Sequence, residues 1–224
     1  MSADLYFSQR LAGKALPSFL ASISITVFLA QLAVSLLIAG VSLKGYRAYG
    51  SRTLLMLSLS FFLIAFGVSL QSLFQVSGSE VLQFFGAASE ASGYLILALS
   101  HVYTVRSSVI TSSSSSSSSS SLPVLLILQF PDLSLLYVAA KSISFFLLLY
   151  IFIETLIFAV QNRSRAAAIP SIGFLLLTFS AYANLFLNSL NFLLIAVEIA
   201  KLLGFAVLAS PLAVFALRRG QKRG

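Results

Sequence analysis

Glu90, Glu198 and Lys201 are the residues whose chemistry is hardest to assign to packing, because each lies inside a long apolar stretch. A charged side chain at mid-membrane costs a few kcal/mol unless it is paired or hydrated, so such residues point to a site. Glu198 and Lys201 stand three apart, which puts them on one helix face, and a direct ion pair between them is expected. The three residues together suggest a substrate or proton site gated by a Glu90–Lys201–Glu198 cluster. The competing reading is a buried ionic network that fixes helix register. Lys141 and Glu154 are secondary candidates nearer the ends of their stretch. Lys141 is expected to snorkel toward the outer face, and Glu154 to reach inner basic residues.

Other chemistries find no residues to work with. The chain has no cysteine, which removes thiolate chemistry and Cys-based metal sites. His101 is the single histidine, so bis-histidine haem ligation within the chain is impossible and a multi-His metal site is not expected. It reads as an interface residue. There is no phosphate-binding glycine loop and no nucleophile–base pair. Serine is abundant, but an unactivated hydroxyl is not a nucleophile. The expectation is therefore no enzyme, no metal and no cofactor.

The elements that must position these charges are membrane helices. Of the 224 residues, 58% are hydrophobic and only 9% charged, and the mean hydropathy is +1.00. Soluble domains carry about a quarter charged residues. The net charge of +8 suggests nucleic acid, but the basic residues cluster at the ends of apolar stretches, which is a membrane-topology pattern, and no nucleic acid partner is expected. A span needs about 20 mainly apolar residues. Residues 16–43, 53–76, 81–105, 133–160, 166–187 and 192–217 qualify. Residues 107–131 are ambiguous, with ten serines at 112–121 followed by a short apolar run.

Charge placement addresses the ambiguity. Lys44, Arg47, Arg52, Arg106, Arg163, Arg165, Arg218, Arg219, Lys222 and Arg223 follow the first, third and fourth long stretches and the last. With a further crossing at 107–131 all of them lie on one side, which the positive-inside tendency makes cytoplasmic. The expected fold is all-α: a polytopic bundle of seven transmembrane helices, the fourth short or irregular, with the N-terminus outside and the C-terminus cytoplasmic in the cell membrane.

An internal repeat supports the same plan. Ser51, Arg52, Ser58, Phe61 and Phe66 recur 113 positions later as Ser164, Arg165, Ser171, Phe174 and Phe179. The chain is then one integral membrane domain over 1–224. It divides into a three-helix repeat at 16–105, a Ser-rich linker with a short fourth helix at 106–132, a second three-helix repeat at 133–217 and a basic tail at 218–224. Parallel repeats of this kind occur in transporters. Glu90-Ala91-Ser92-Gly93-Tyr94 falls opposite Lys201-Leu202-Leu203-Gly204-Phe205 at an offset of 111, so opposite charges take equivalent places. Ala196, Ala200 and Gly204, and Gly86, Ser89 and Gly93, form small-residue rows for close helix packing.

Two patches resemble microbial rhodopsins: Thr178-Phe179-Ser180-Ala181-Tyr182 with Phe186, and Lys201 followed by Gly204-Phe205. That resemblance implies retinal on Lys201 through a Schiff base, with Glu90 or Glu198 as counter-ion. The chain departs from it in having no tryptophan and no Arg-Tyr…Asp-Trp signature in the third helix. The residues themselves lead first to a non-catalytic membrane-embedded subunit or sensor, with the bilayer, other membrane subunits or a second copy as partners. A small-solute or proton-coupled transporter using Glu90, Glu198 and Lys201 is the alternative.

Overall fold

The computed structural model describes residues 18–109, 132–162, 165–186 and 191–220, and the side chains of 25–102, 132–161, 168–186 and 195–211. Six helices run through them: α1 Ser18–Tyr49, α2 Arg52–Ser77, α3 Glu80–Val109, α4 Leu133–Asn162, α5 Arg165–Phe186 and α6 Asn191–Gly220. Five contain stretches long and apolar enough to cross a membrane: Ile25–Tyr49, Arg52–Ser77, Glu80–Val102, Leu133–Gln161 and Ala168–Phe186. The expected crossing at 107–131 falls almost wholly outside the described residues.

The helices end where backbone geometry ends them, not where apolarity fades. α1 continues through Lys44 and Arg47 to Tyr49, and stops because Gly50 turns left-handed (φ 66°) and returns its N–H to the Tyr46 carbonyl at 2.7 Å. Gly78 (φ 69°) closes α2 in the same way on Phe74. A residue with a Cβ pays for that conformation, and glycine does not. Asp132 opens α4, accepting a hydrogen bond from the Ser134 N–H at 3.0 Å.

Each helix packs on its neighbour in sequence, and α6 packs on α1, so the bundle closes into a ring. Close backbone crossings define two of these contacts. A Cβ on Gly67 would lie 2.7 Å from the Gly86 carbonyl, and one on Gly93 would lie 2.8 Å from that of Ser60, so α2 and α3 pass antiparallel with backbone nearly touching. In α5 and α6, a Cβ on Gly204 would lie 3.0 Å from the Gly173 carbonyl, and Ser180 Oγ donates to the Val197 carbonyl at 3.1 Å.

The contact between α3 and α4 runs the other way. Glu90 meets Lys141, and further along α3 His101 lies within electrostatic reach of Glu154, which is likewise further along α4. The two helices are therefore parallel. With the antiparallel pairings of α1–α2, α2–α3, α4–α5 and α5–α6, this puts α1, α3, α4 and α6 in one direction and α2 and α5 in the other. Arg47, Arg52, Arg106, Arg165, Arg218 and Arg219 then gather at one end of the bundle, and Glu80 and Asp132 at the other.

The interior and exterior invert the soluble pattern. Phe62, Phe66, Phe146, Phe179 and Phe186 face outward, each more than half exposed. Gln31, Ser35, Ser60, Glu90 and Lys201 are buried. Large apolar side chains displayed over the whole outer face suit hydrocarbon, so this is a multi-pass membrane bundle. Its apolar core joins Ile38 of α1, Phe61 and Ile64 of α2, Tyr94 of α3, Ile151 of α4, Phe174 and Leu177 of α5 and Phe205 of α6.

Candidate functional site

The ring of helices converges on one carboxylate. Glu90, on the inward face of α3, is 2% exposed, and its two oxygens are taken by ammoniums from two other helices. Lys141 Nζ of α4 donates to Oε2 at 2.9 Å, and Lys201 Nζ of α6 donates to Oε1. α3 and α6 are not among the closely packed helix pairs, and the Glu90–Lys201 ion pair joins them across the centre. On the basic-end side of the pair, Phe61 of α2 and Phe205 of α6 meet edge-on with ring centroids 6.1 Å apart.

Two glutamines, which a search for formal charges overlooks, extend the network. Gln71 of α2 accepts a long hydrogen bond from Lys141 Nζ at 3.4 Å. Gln31 of α1 donates from Nε2 to Glu198, reaching both its side-chain Oε2 and its backbone carbonyl at 2.9 Å. A continuous polar line thus joins Gln71, Lys141, Glu90 and Lys201, and Glu198 one turn from Lys201 continues it to Gln31. The signal was present in sequence: each glutamine interrupts an otherwise uncharged membrane stretch.

Two expected pairings differ from what is seen. Lys141 does not snorkel outward. It lies about 12 Å along α4 from the helix start, with Glu90 directly across the parallel α3–α4 contact, and it is buried on that carboxylate with the Tyr137 ring 5.8 Å away. A nearby buried counter-ion outweighs a long reach to the interface. Glu198 and Lys201 form no salt bridge with each other, because Lys201 turns inward to Glu90 and Glu198 turns to Gln31 on α1. Glu154 is half-buried near His101, and the side chains of Arg163 and Arg165 lie outside the described ones.

The space beside the cluster is small. A cavity of about 20 Å³ is bounded by Glu90, Tyr94, Lys141, Ser180, Asn184 and Lys201. That is the volume for about one water, whereas ligand pockets run to about 300 Å³ and more. A larger apolar cleft of about 300 Å³ lies between α4 and α5, at Phe152, Leu156, Ser171 and Leu175, away from the charges. Among the described residues no group of three or more His, Asp or Glu side chains is placed to hold a metal. What the arrangement can do is hold three helices through one carboxylate and keep a small polar space at the centre. No family model, curated protein or solved structure matches the chain.

Proposed function

We propose that the protein is a non-catalytic membrane-embedded module, a subunit or sensor whose two halves are clasped at Glu90. The observation that carries this is the sharing of one buried carboxylate between Lys141 and Lys201, with only a water-sized cavity beside it. A buried pair is costly to assemble but far more costly to break from one side, so it specifies one arrangement of helices. The small size of that cavity favours a clasp over a site for a larger solute or for a polyene on Lys201.

Seven crossings belong to the same proposal. The parallel course of α3 and α4 supports this, since α3 ends at the basic end of the bundle and α4 starts at the opposite one. The basic end is then cytoplasmic and the N-terminus outside. The division into parallel repeats at 16–105 and 133–217 gains support from the packing. Ser60 against Gly93 and Ile64 against Gly93 correspond, at offsets of 113 and 111, to Gly173 against Gly204 and Leu177 against Gly204.

A proton-coupled transporter is the second reading, favoured by the row of buried polar groups from Gln71 to Lys201 and on, one helix turn away, from Glu198 to Gln31. Two measurements separate them. Purification in mild detergent yields a fixed partner or a stable homo-oligomer if the chain is a module. Proton flux in proteoliposomes stays at the level of empty vesicles. A flux that Glu90→Gln and Lys201→Met both abolish would overturn the module reading in favour of transport.

A further inference from the structure

Among the described residues, four buried side-chain polar atoms have no hydrogen-bond partner: Gln31 Oε1, Ser35 Oγ, Ser42 Oγ and Gln71 Nε2. Gln31 and Gln71 belong to the polar groups around Glu90 and Glu198, and the two serines lie on α1 with Gln31. Gln31, Ser35 and Ser42 lie on one face of α1, and each is at most 1% exposed. Membrane serines ordinarily satisfy their hydroxyls on the carbonyl one turn back. Ser69, Ser92, Ser142 and Ser144 do so at 2.8–2.9 Å. Ser35 and Ser42 make no such bond, and so leave polar atoms facing the bundle interior.

An orphaned buried hydroxyl or amide costs about 1–3 kcal/mol, and three along one face of α1 is a large sum for a closed bundle to bear. Ordered water relieves that cost and commonly bridges such groups. Direction matters as well. Ser35 and Ser42 follow Gln31 along α1 toward Lys44 and Arg47, over a rise of about 16 Å, so the unsatisfied atoms extend toward the basic end. On the opposite side of Glu90 only Gln71 Nε2 is unsatisfied.

We infer that water is a built-in ligand of this protein: a file of water molecules lies along α1 against Ser42, Ser35 and Gln31, entering from the basic end and reaching the Glu198 side of the charge cluster. The seam is one-sided. It hydrates the cluster from the basic end by way of α1, past Phe61 and Phe205, which lie on that same side of the Glu90–Lys201 pair. The same seam serves a sensor or a proton carrier, so the inference stands apart from the choice between them.

Water-edited solid-state NMR of the full chain in lipid bilayers tests it. Ser60 is the internal reference: it is equally buried, and its hydroxyl is satisfied by the Gly93 carbonyl at 2.8 Å. The signals of Ser35 and Ser42 are assigned by their loss in Ser35→Ala and Ser42→Ala. Magnetisation from water is expected to reach Ser42, then Ser35, then Gln31, each several-fold faster than Ser60. Transfer as slow as that to Ser60, or arrival at Gln31 before Ser42, overturns the inference. Thermal unfolding supplies a second readout. Removing a water-anchoring hydroxyl lowers the transition temperature, whereas removing a dry orphan leaves it unchanged or raises it, which contradicts the seam.

Discussion

The α2–α3 hairpin and the α5–α6 hairpin make the same crossing with different residues. In the first, Gly67 meets Gly86 backbone to backbone, and Ser60 donates to the Gly93 carbonyl. In the second the types exchange: Gly173 meets Gly204, and Ser180 donates to the Val197 carbonyl. Glycine and serine trade levels while both crossings stay tight. At the corresponding central position the first hairpin carries Glu90 and the second Lys201, and Tyr94 stands opposite Phe205 one turn on. The lesson is that a shared backbone scaffold leaves the side chains free to become complementary. Two like carboxylates at those positions would repel, and glutamate opposite lysine binds the hairpins together.

The largest effect is expected from Glu90→Gln. It leaves Lys141 and Lys201 buried without a counter-ion and destabilises the bundle by about 3–5 kcal/mol, measured by denaturant unfolding in detergent. Lys201→Met is expected to cost less, because Glu90 keeps Lys141. Equal losses in the two variants would break the picture of a shared carboxylate. Next come the crossings. Gly93→Ala would push a methyl to 2.7 Å from the Ile64 side chain and 2.8 Å from a carbonyl, and Gly204→Ala to 2.9 Å from the Leu177 side chain. Both are expected to destabilise by about 1–3 kcal/mol, with Gly93→Ala the worse. A reversed order would show that the two hairpins yield differently from their static geometry. Ser60→Ala and Ser180→Ala remove matched interhelical hydrogen bonds and should each cost about 0.6 kcal/mol, in the range measured for such bonds in membrane bundles. Gly40 has nothing within 4 Å of a would-be Cβ. Gly40→Ala is therefore expected to be neutral or to stabilise α1 by up to about 1 kcal/mol, read as a small rise in transition temperature.

Much of the fold was legible because membrane helices announce themselves by apolar length. The long stretches at 53–76 and 133–160 correspond to Arg52–Ser77 and Leu133–Asn162 within a turn. The ends of α1 and α3 were less legible. Apolarity fades at the interface while the helix itself continues, through Lys44 and Arg47 in α1 and through Arg106 in α3. Glu90 and Lys201 were conspicuous as charges out of place. Their partners were not, because a partner depends on the relative direction of helices far apart in sequence. Lys141 finds Glu90 only because α4 runs parallel to α3, and Glu198 finds Gln31 only because α6 closes on α1. Gln31, Gln71 and Asn184 carry no charge, so a reading that weighed only charges passed over them.

The parallel course of α3 and α4 underlies both the clasp and the crossing count, and it can be read directly. The chain has no cysteine, so single cysteines at Ser51, Ser79, Asp132 and Asn162 are unique labels. A membrane-impermeant thiol reagent should reach Ser79→Cys and Asp132→Cys from one face, and Ser51→Cys and Asn162→Cys from the other. Asp132→Cys reacting from the same face as Ser51→Cys would make α3 and α4 antiparallel and contradict the placement of Lys141 on Glu90.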